Sequence, residues 1–241
     1  MRAAGFGADD DPCTRRDDLA HLYADLPVEV AAPELPDIPD RRLLLTDFGA
    51  VGDGVTDNTQ SFSRAISALA KQGGGHLVVP SGIFLTGPLS LKDRMDLHLE
   101  HGAVILFTPD KSAYVRSGSP DKTVPCLSVS SRKDVSITGE GILDGNGAQW
   151  RVVKRNKVSD VEWQALLRRG GTVSADGSLW YPFGLNGLPD IAPTAQDQEK
   201  MRTHLVRFSG CERVLVQGVT LQQSPKFHLV PQRCTDVVVD E

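Results

Sequence analysis

The chain has 241 residues, a formal net charge of −5, 40% hydrophobic residues and 24% charged residues. This length supports one large domain with a substantial core. The acidic balance argues against nucleic acid as a partner, because binding to its backbone requires a basic excess. No apolar run approaches the length of a membrane span, so no membrane partner is expected.

Residues 1–42 are predicted to form a peripheral N-terminal arm. A short helix with Thr14 as its cap is expected first, and four prolines between positions 27 and 39 then favour an extended path over the surface. The first residues show no apolar segment of the kind found in a signal peptide.

One strong helix is predicted at residues 57–72. Phe62, Ala65, Ile66 and Leu69 follow the i, i+3, i+4, i+7 spacing of a buried helical face. Asp57 or Asn58 can cap its N-terminus, and three consecutive glycines from position 73 end it.

The stretch "GDGVTDN" before this helix has two interpretations. Asp53 and Asp57 could bind calcium, but the carboxylates do not stand at alternate positions with a distal glutamate, so a turn with a helix cap is favoured. His98 and His101 form H-x-x-H, yet side chains at i and i+3 on a strand point to opposite faces. The four cysteines have no CxxC spacing and the glycines match no phosphate loop. No metal and no cofactor are therefore predicted.

After the helix the sequence changes to short apolar or alternating segments divided by glycine, such as "HLVVP", "IFLTGPLSL" and "DVSITGEGILDG". An apolar-x-apolar triplet after a polar turn recurs at Leu97, Val135, Val214 and Val237, and the last two units are offset by 23 residues. A helix-free unit of this length is the size of one coil of a parallel β-helix. The larger gaps then indicate inserted loops, of which the biggest, at about 145–203, holds all three tryptophans.

Longer stretches of the chain resemble a known family. "DFGAVGDGVTDNTQSFSRAI" resembles the N-terminal region of pectin-degrading β-helix proteins. "ITGEGILDGNGAQWR" and "HLVRFSGCERVLVQGVTLQQSPKFHLVPQRCTDVVVD" more narrowly resemble the bacterial branch of glycoside hydrolase family 28, the polygalacturonase family. The resemblance covers residues 43–241, which are therefore expected to be N-terminal coils of a parallel β-helix.

The resemblance implies an all-β fold, a right-handed parallel β-helix of the pectin lyase type with an N-terminal capping helix. It implies inverting hydrolysis of galacturonan or rhamnogalacturonan by paired carboxyl groups about 6.5–9.5 Å apart. It also implies a monomer that acts in the periplasm or outside the cell. A polysaccharide lyase, or a non-catalytic β-helix such as a tailspike or adhesin, is the alternative.

No catalytic residue can be assigned. The aspartate, histidine and Arg-x-Lys signatures of the family normally follow the "SPKFHL" coil, and neither "GDG" at 52–54 nor "LDG" at 143–145 replaces them. The chain is therefore expected to be a C-terminally truncated N-terminal portion, inactive by itself.

Two residues are predicted to bind substrate. Lys226 and His228 alternate with Phe227 and Leu229, which would place them together on one face of a strand. An outward lysine there could pair with a uronate carboxylate. The alternative is an ordinary solvated face.

Three other features have both a functional and a structural interpretation. Asp144 could be an acid, but a turn residue is favoured because a glycine follows it. The three tryptophans and Tyr181 could stack on sugars, or could form a small core for the insertion, which is favoured. Cys211 and Cys234 occupy matching repeat positions and could be a disulfide or a free pair.

Overall fold

The computed structural model describes residues 32–182 and 194–240. Most strands belong to three parallel sheets, and the chain visits sheet A, sheet B and sheet C in turn. Sheet A contains β1 (Arg42–Leu44), β3 (Gly75–Val79), β6 (Met95–Leu99), β11 (Lys133–Gly139), β17 (Glu212–Gln217) and β20 (Thr235–Asp240). Sheet B contains β2 (Asp53–Asp57), β4 (Gly82–Thr86), β7 (Ala103–Phe107), β12 (Ile142–Asp144) and β18 (Thr220–Gln222). Sheet C contains β5 (Leu89–Ser90), β10 (Leu127–Ser130), β16 (Val206–Ser209) and β19 (Leu229–Gln232). The predicted parallel β-helix is confirmed.

The coils stack so that like residues form ladders inside the helix. Val135 pairs with Val214, which pairs with Val237, as the repeat predicts. The first triplet is displaced, however, because Val135 and Ile137 pair with Met95 and Leu97 rather than with Leu97 and Leu99. Strand β6 has three inward apolar residues instead of two, so the triplet spacing alone leaves its register ambiguous.

The capping helix α1 (Thr59–Lys71) begins two residues later than predicted and buries the expected face. Phe62, Ala65, Ile66 and Leu69 are buried and belong to the same hydrophobic core as the inward residues of the coils. The helix packs on β3, which closes one end of that core.

Two insertions leave the β-helix at the same corner, between sheets B and C. The first contains the antiparallel pair β8 (Val115–Arg116) and β9 (Ser119–Thr123). The second contains β13 (Val153–Lys154), helix α2 (Asp160–Arg168), β14 (Thr172–Val173), β15 (Leu179–Tyr181) and helix α3 (Ala195–Lys200). These insertions occupy the large gaps in the repeat.

A ladder of charged residues with positive φ marks the opposite corner, where sheet C leads into sheet A. Arg94, Asp134, Arg213 and Asp236 have φ values of 55°, 58°, 54° and 51°. Asp134 and Arg213 form a two-bond ion pair, with Nε to Oδ1 at 2.6 Å and Nη2 to Oδ2 at 2.9 Å. Alternating charge therefore stabilises the same turn in successive coils.

Part of the expected N-terminal arm lies along this charged corner. Residues 32–41 contain no helix or strand. Asp37 accepts a hydrogen bond from Arg94, and its backbone N–H donates to Asp134. The short helix predicted after Thr14 lies outside the described residues.

Candidate functional site

The predicted substrate-binding residues lie in the loop that joins sheet B to sheet C in the last described coil. Lys226 and His228 are both exposed, but the predicted alternation is wrong, because Phe227 between them is 60% exposed. Residues 223–228 form a turn, and the strand begins only at Leu229. A two-residue period does not apply outside a strand, so all three side chains reach solvent.

The preceding coil supports this loop closely. The backbone N–H groups of Leu205 and Val206 donate to the carbonyl oxygens of Phe227 and His228, both at 2.9 Å. The ring of His204 stacks on that of Phe227, with centroids 5.4 Å apart and planes 10° from parallel. Coil stacking thus places residues 202–207 directly beside Lys226.

These two coils together form a cationic surface, which we define as Arg202, His204, Arg207, Lys226 and His228. Burial lowers the pKa of His204, and the nearby charges of Lys226 and Arg207 lower it further. Arg207 donates a hydrogen bond to the neutral side chain of Gln232, so this contact does not offset its charge.

Among the described residues, one carboxylate is ion-paired with the cationic surface. Glu199 of α3 accepts from Arg202 at 2.6 Å. Burial raises the pKa of Glu199, although the charges of Arg202, Lys111 and Lys226 oppose that shift. A carboxyl group whose pKa is raised by burial, held among three cations, is a candidate proton donor at this corner.

The first insertion contributes a buried lysine, Lys111, whose charge acts on Glu199. Lys111 lies over the ring of Trp150 at 5.5 Å from its centroid, and Tyr114 meets the same ring edge-on at 5.1 Å. Burial lowers the pKa of Lys111 to about 8, and Glu199 opposes the shift. Because both insertions start at one corner, residues more than 80 positions apart share one electrostatic environment.

The outward face of sheet C adjoins the cationic surface and has mainly small polar side chains. Arg207 stands between Ser128 and Val230 in the ladder, while Ser209 stands between Ser130 and Gln232. Their neighbours Leu127, Val129, Val206 and Phe208 point inward and are buried. The result is a hydroxyl-bearing strip with one guanidinium, bordered by cations on the side of the insertions.

The comparisons with known proteins identify the type of β-helix. No family model matches the chain. It is 29% identical over 196 residues to an exo-poly-α-D-galacturonosidase of Dickeya chrysanthemi, covering 74% of this chain and 32% of that protein. A probable polygalacturonase of Vitis vinifera is 37% identical over 121 residues, covering 44% and 25% respectively. The structure of a hyperthermoactive exopolygalacturonase from Thermotoga maritima superposes with a TM-score of 0.61 and 31% identity, covering 86% of this chain and 47% of that one.

The chain is a polygalacturonase-like protein of the glycoside hydrolase family 28 type. It spans between a quarter and a third of the length of these two curated relatives. The resemblance stated from the "SPKFHL" and "LDGNG" stretches is thereby confirmed.

The aspartates near the capping helix of this polygalacturonase-like chain have structural roles. Asp53 accepts hydrogen bonds from the backbone of Val55 and Thr56, and these bonds lower its pKa to about 2. Asp57 accepts from the backbone and hydroxyl of Thr59. Both carboxylates thus accept hydrogen bonds from residues of their own turn. Across residues 32–182 and 194–240, no cluster of acidic, histidine or cysteine side chains could hold a metal.

The other single candidates are likewise structural. Asp144 accepts from the backbone N–H of Asn146 at 2.7 Å, which is the favoured turn interpretation. His98 is buried, whereas the side chain of His101 is 90% exposed beside Glu140, so the two do not meet. Cys211 and Cys234 are free thiols, with Cys211 buried.

The aromatic residues of the second insertion are buried rather than exposed. Trp150, Trp163, Trp180 and Tyr181 are all buried, but Trp150 belongs to the hydrophobic core of the coils, so the favoured small core of the insertion is limited to the other three. The indole N–H of Trp180 donates to the carbonyl oxygen of Gly170 at 2.8 Å.

Sequence reasoning missed Arg202, His204, Arg207, Lys111 and Glu199 as members of one site. The available signal was the repeat itself: offsets of 23 residues pair His204 with Phe227 and Arg207 with Val230. Lys111 and Glu199 carry no such signal, because they lie in insertions outside the repeat.

Proposed function

We propose that this protein is a pectin-degrading glycoside hydrolase of the polygalacturonase type, which acts on galacturonan or rhamnogalacturonan in the periplasm or outside the cell. The observation that carries the proposal is the coincidence of a polygalacturonase-like β-helix with a cationic surface beside sheet C. Three of the five residues of that surface are permanently charged cations at neutral pH, in a chain whose net charge is −5. Positive charge is therefore concentrated at this surface although the net charge of the chain is negative.

A polyuronate is a chemically suitable ligand for this surface. Such a polymer carries a carboxylate on each acidic sugar, and guanidinium and ammonium groups form charge-assisted hydrogen bonds with carboxylates. Lys226 and His228 are exposed and project from the loop that flanks sheet C. We assign them to substrate binding, as the sequence predicts.

The described coils supply binding groups rather than a complete acid–base pair. Inverting hydrolysis uses two carboxyl groups about 6.5–9.5 Å apart, one as acid and one as base. Within residues 32–182 and 194–240, the cationic surface is ion-paired with one carboxyl group, Glu199, through Arg202. We therefore propose that residues 1–241 alone bind the polymer without cleaving it.

Binding measurements test this proposal. The chain should bind de-esterified polygalacturonate but not neutral galactan, and the affinity should fall as salt is raised from about 50 to 300 mM, because exposed ion pairs are screened. Lys226→Gln should weaken binding, whereas Lys154→Gln, which removes an exposed lysine in the insertion, should not. Equal affinity for the two polymers would contradict the proposal.

A further inference from the structure

Two cysteines occupy the same position in successive coils, at the corner where sheet C leads into sheet A. Cys211 follows β16 and Cys234 follows β19. The residues directly before them, Gly210 and Arg233, have φ values of 63° and 53°, so both coils turn in the same way here. The 23-residue offset in the sequence is therefore also an equivalence in the structure.

Backbone hydrogen bonds hold the two cysteines side by side. The N–H of Thr235 donates to the carbonyl oxygen of Cys211 at 3.0 Å, and the N–H of Gly210 donates to that of Gln232 at 2.9 Å. Because these bonds flank the pair, its two Cα atoms stand at the spacing of neighbouring strands, about 4.8 Å. A disulfide requires a Cα separation of about 4.4–6.8 Å, so the backbone of these coils already permits one.

The two thiol groups have the same orientation and act on each other. Cys211 Sγ lies 3.7 Å from the carbonyl oxygen of Ser209, and Cys234 Sγ lies 3.4 Å from that of Gln232, two residues earlier in each case. Burial raises the pKa of Cys211, and the charge of Cys234 and a hydrogen bond with it raise that pKa further. Cys211 is 2% exposed whereas Cys234 is partly exposed, so a reagent in solution reaches Cys234 first.

We propose that Cys211 and Cys234 are a redox pair, which a low-molecular-weight disulfide converts reversibly into a covalent bond between successive coils. This inference goes beyond the proposed function and does not depend on it.

The exchange takes two steps. Cys234 loses its proton to water, and its thiolate attacks one sulfur of the small disulfide, which releases one small thiolate and leaves a mixed disulfide. The Cys211 thiolate then attacks Sγ of Cys234 and releases the second small thiolate. Two thiols of the chain are oxidised, one small disulfide is reduced to two thiols, and those thiols take up the two protons that the cysteines lost.

The bond closes a ring of 24 residues, from position 211 to position 234. This ring contains β17, β18, β19 and the loop at 223–228, which includes Lys226 and His228. A crosslink that closes a ring of this size restricts the unfolded chain, so opening of the ring should become about 30–1,000-fold rarer. The redox state of the pair thus sets how often the last described coil opens.

Mass spectrometry of the full 241-residue chain tests the pair directly. After incubation with glutathione disulfide, alkylation of free thiols and digestion, the wild-type chain should yield the Cys211 peptide linked to the Cys234 peptide, and dithiothreitol should reverse the link. Cys211→Ser should instead retain glutathione on Cys234, because the thiol that displaces it is missing. Cys126→Ser, which removes a buried cysteine of the core, is the matched control and should form the same link as the wild-type chain. Glutathione retained on both cysteines of the wild-type pair, no oxidation of Cys234, or a link from either cysteine to a different one would overturn the proposal.

Hydrogen exchange of the wild-type chain tests the consequence without any variant. Amide protons of β18 and β19 should exchange about 30–1,000-fold more slowly in the oxidised chain than in the reduced chain, a larger change than that of β3 outside the ring. Equal exchange in the two forms would overturn the control of coil opening by the disulfide. Neither measurement uses a polysaccharide, so their outcomes are separate from the success or failure of the proposed function.

Discussion

Replacing Asn58 should unfold the junction between the first coil and the capping helix. Its side chain is 1% exposed and lies at the centre of the glycine-rich turn. Oδ1 accepts from the Val51 N–H at 2.8 Å, while Nδ2 is 2.8 Å from Thr56 O, 3.0 Å from Val51 O and 3.2 Å from Leu85 O. The contact with Leu85 joins the turn to β4 of the next coil.

The cost of Asn58→Ala follows from these four contacts. Each hydrogen bond contributes about 0.5–1.5 kcal/mol net, and a buried partner left unpaired costs about 1–3 kcal/mol. Val51 is half exposed and water can replace its bonds, so the expected loss in the free energy of unfolding is about 2–4 kcal/mol. Asp53→Ala is the matched control: its carboxylate is exposed and bonds only within its own turn, so its loss should be small.

Urea unfolding followed by circular dichroism gives the free energy of unfolding of both variants. Equal slopes of that free energy against urea concentration indicate that each variant exposes as much surface on unfolding as the wild-type chain does. If the free energy of unfolding of Asn58→Ala were within about 0.5 kcal/mol of the wild-type value, the hydrogen bonds of Asn58 would not determine the shape of this turn. The calcium interpretation is tested in the same series. A calcium-dependent rise in stability that Asp53→Ala abolishes would show that the turn is a ligand site after all.

Three further substitutions test the coil turns, the Asp134–Arg213 ion pair and the packing of the insertion. Gly139→Ala should prevent folding of the coils, because its φ is +105° and a Cβ would lie 2.0 Å from a backbone oxygen of the adjacent coil, which soluble expression and thermal melting would reveal. Asp134→Asn should reduce the loss of stability that the chain shows as pH falls. The hydrogen bonds from Arg213 are the main cause of the lowered pKa of Asp134 in the folded chain. The ionised carboxylate therefore stabilises the fold above the unfolded-state pKa of about 3.9, and this stabilisation is lost as pH falls through the lower folded-state pKa. Equal melting temperatures of the variant and the wild-type chain at every pH from 6 to 3 would contradict this. Trp180→Ala should make the insertion sensitive to limited proteolysis while the coils stay resistant, because this fully buried indole packs within the insertion; uniform loss of resistance would argue against a separate small core.

The capping helix and the coils could be predicted from sequence because each depends on a local period. Phe62 and Leu69 follow the helical repeat, and Val214 and Val237 follow the coil repeat. The register of β6 could not be settled in this way, since a third inward apolar residue at Met95 makes two alignments equally apolar.

The candidate site was predictable only in part, because its members come from three separate stretches of the chain. Lys226 is visible in a motif, and His204 reaches it through a 23-residue coil offset. The charges of Lys111 and Glu199 act on each other because two insertions of unrelated sequence leave at the same corner. The wrong prediction that Phe227 faces away from Lys226 arose from extending strand alternation into a turn.

We expect these coils to bind a polyuronate without supplying an acid–base pair from their described side chains. Release of reducing ends from polygalacturonate by the purified 241-residue chain, measured under conditions where binding is saturated, tests it most directly. We expect saturable binding with no release of reducing ends above that of a Glu199→Gln variant. Specific turnover that Glu199→Gln abolishes would contradict it, because a carboxyl group of these coils would then be part of the catalytic machinery.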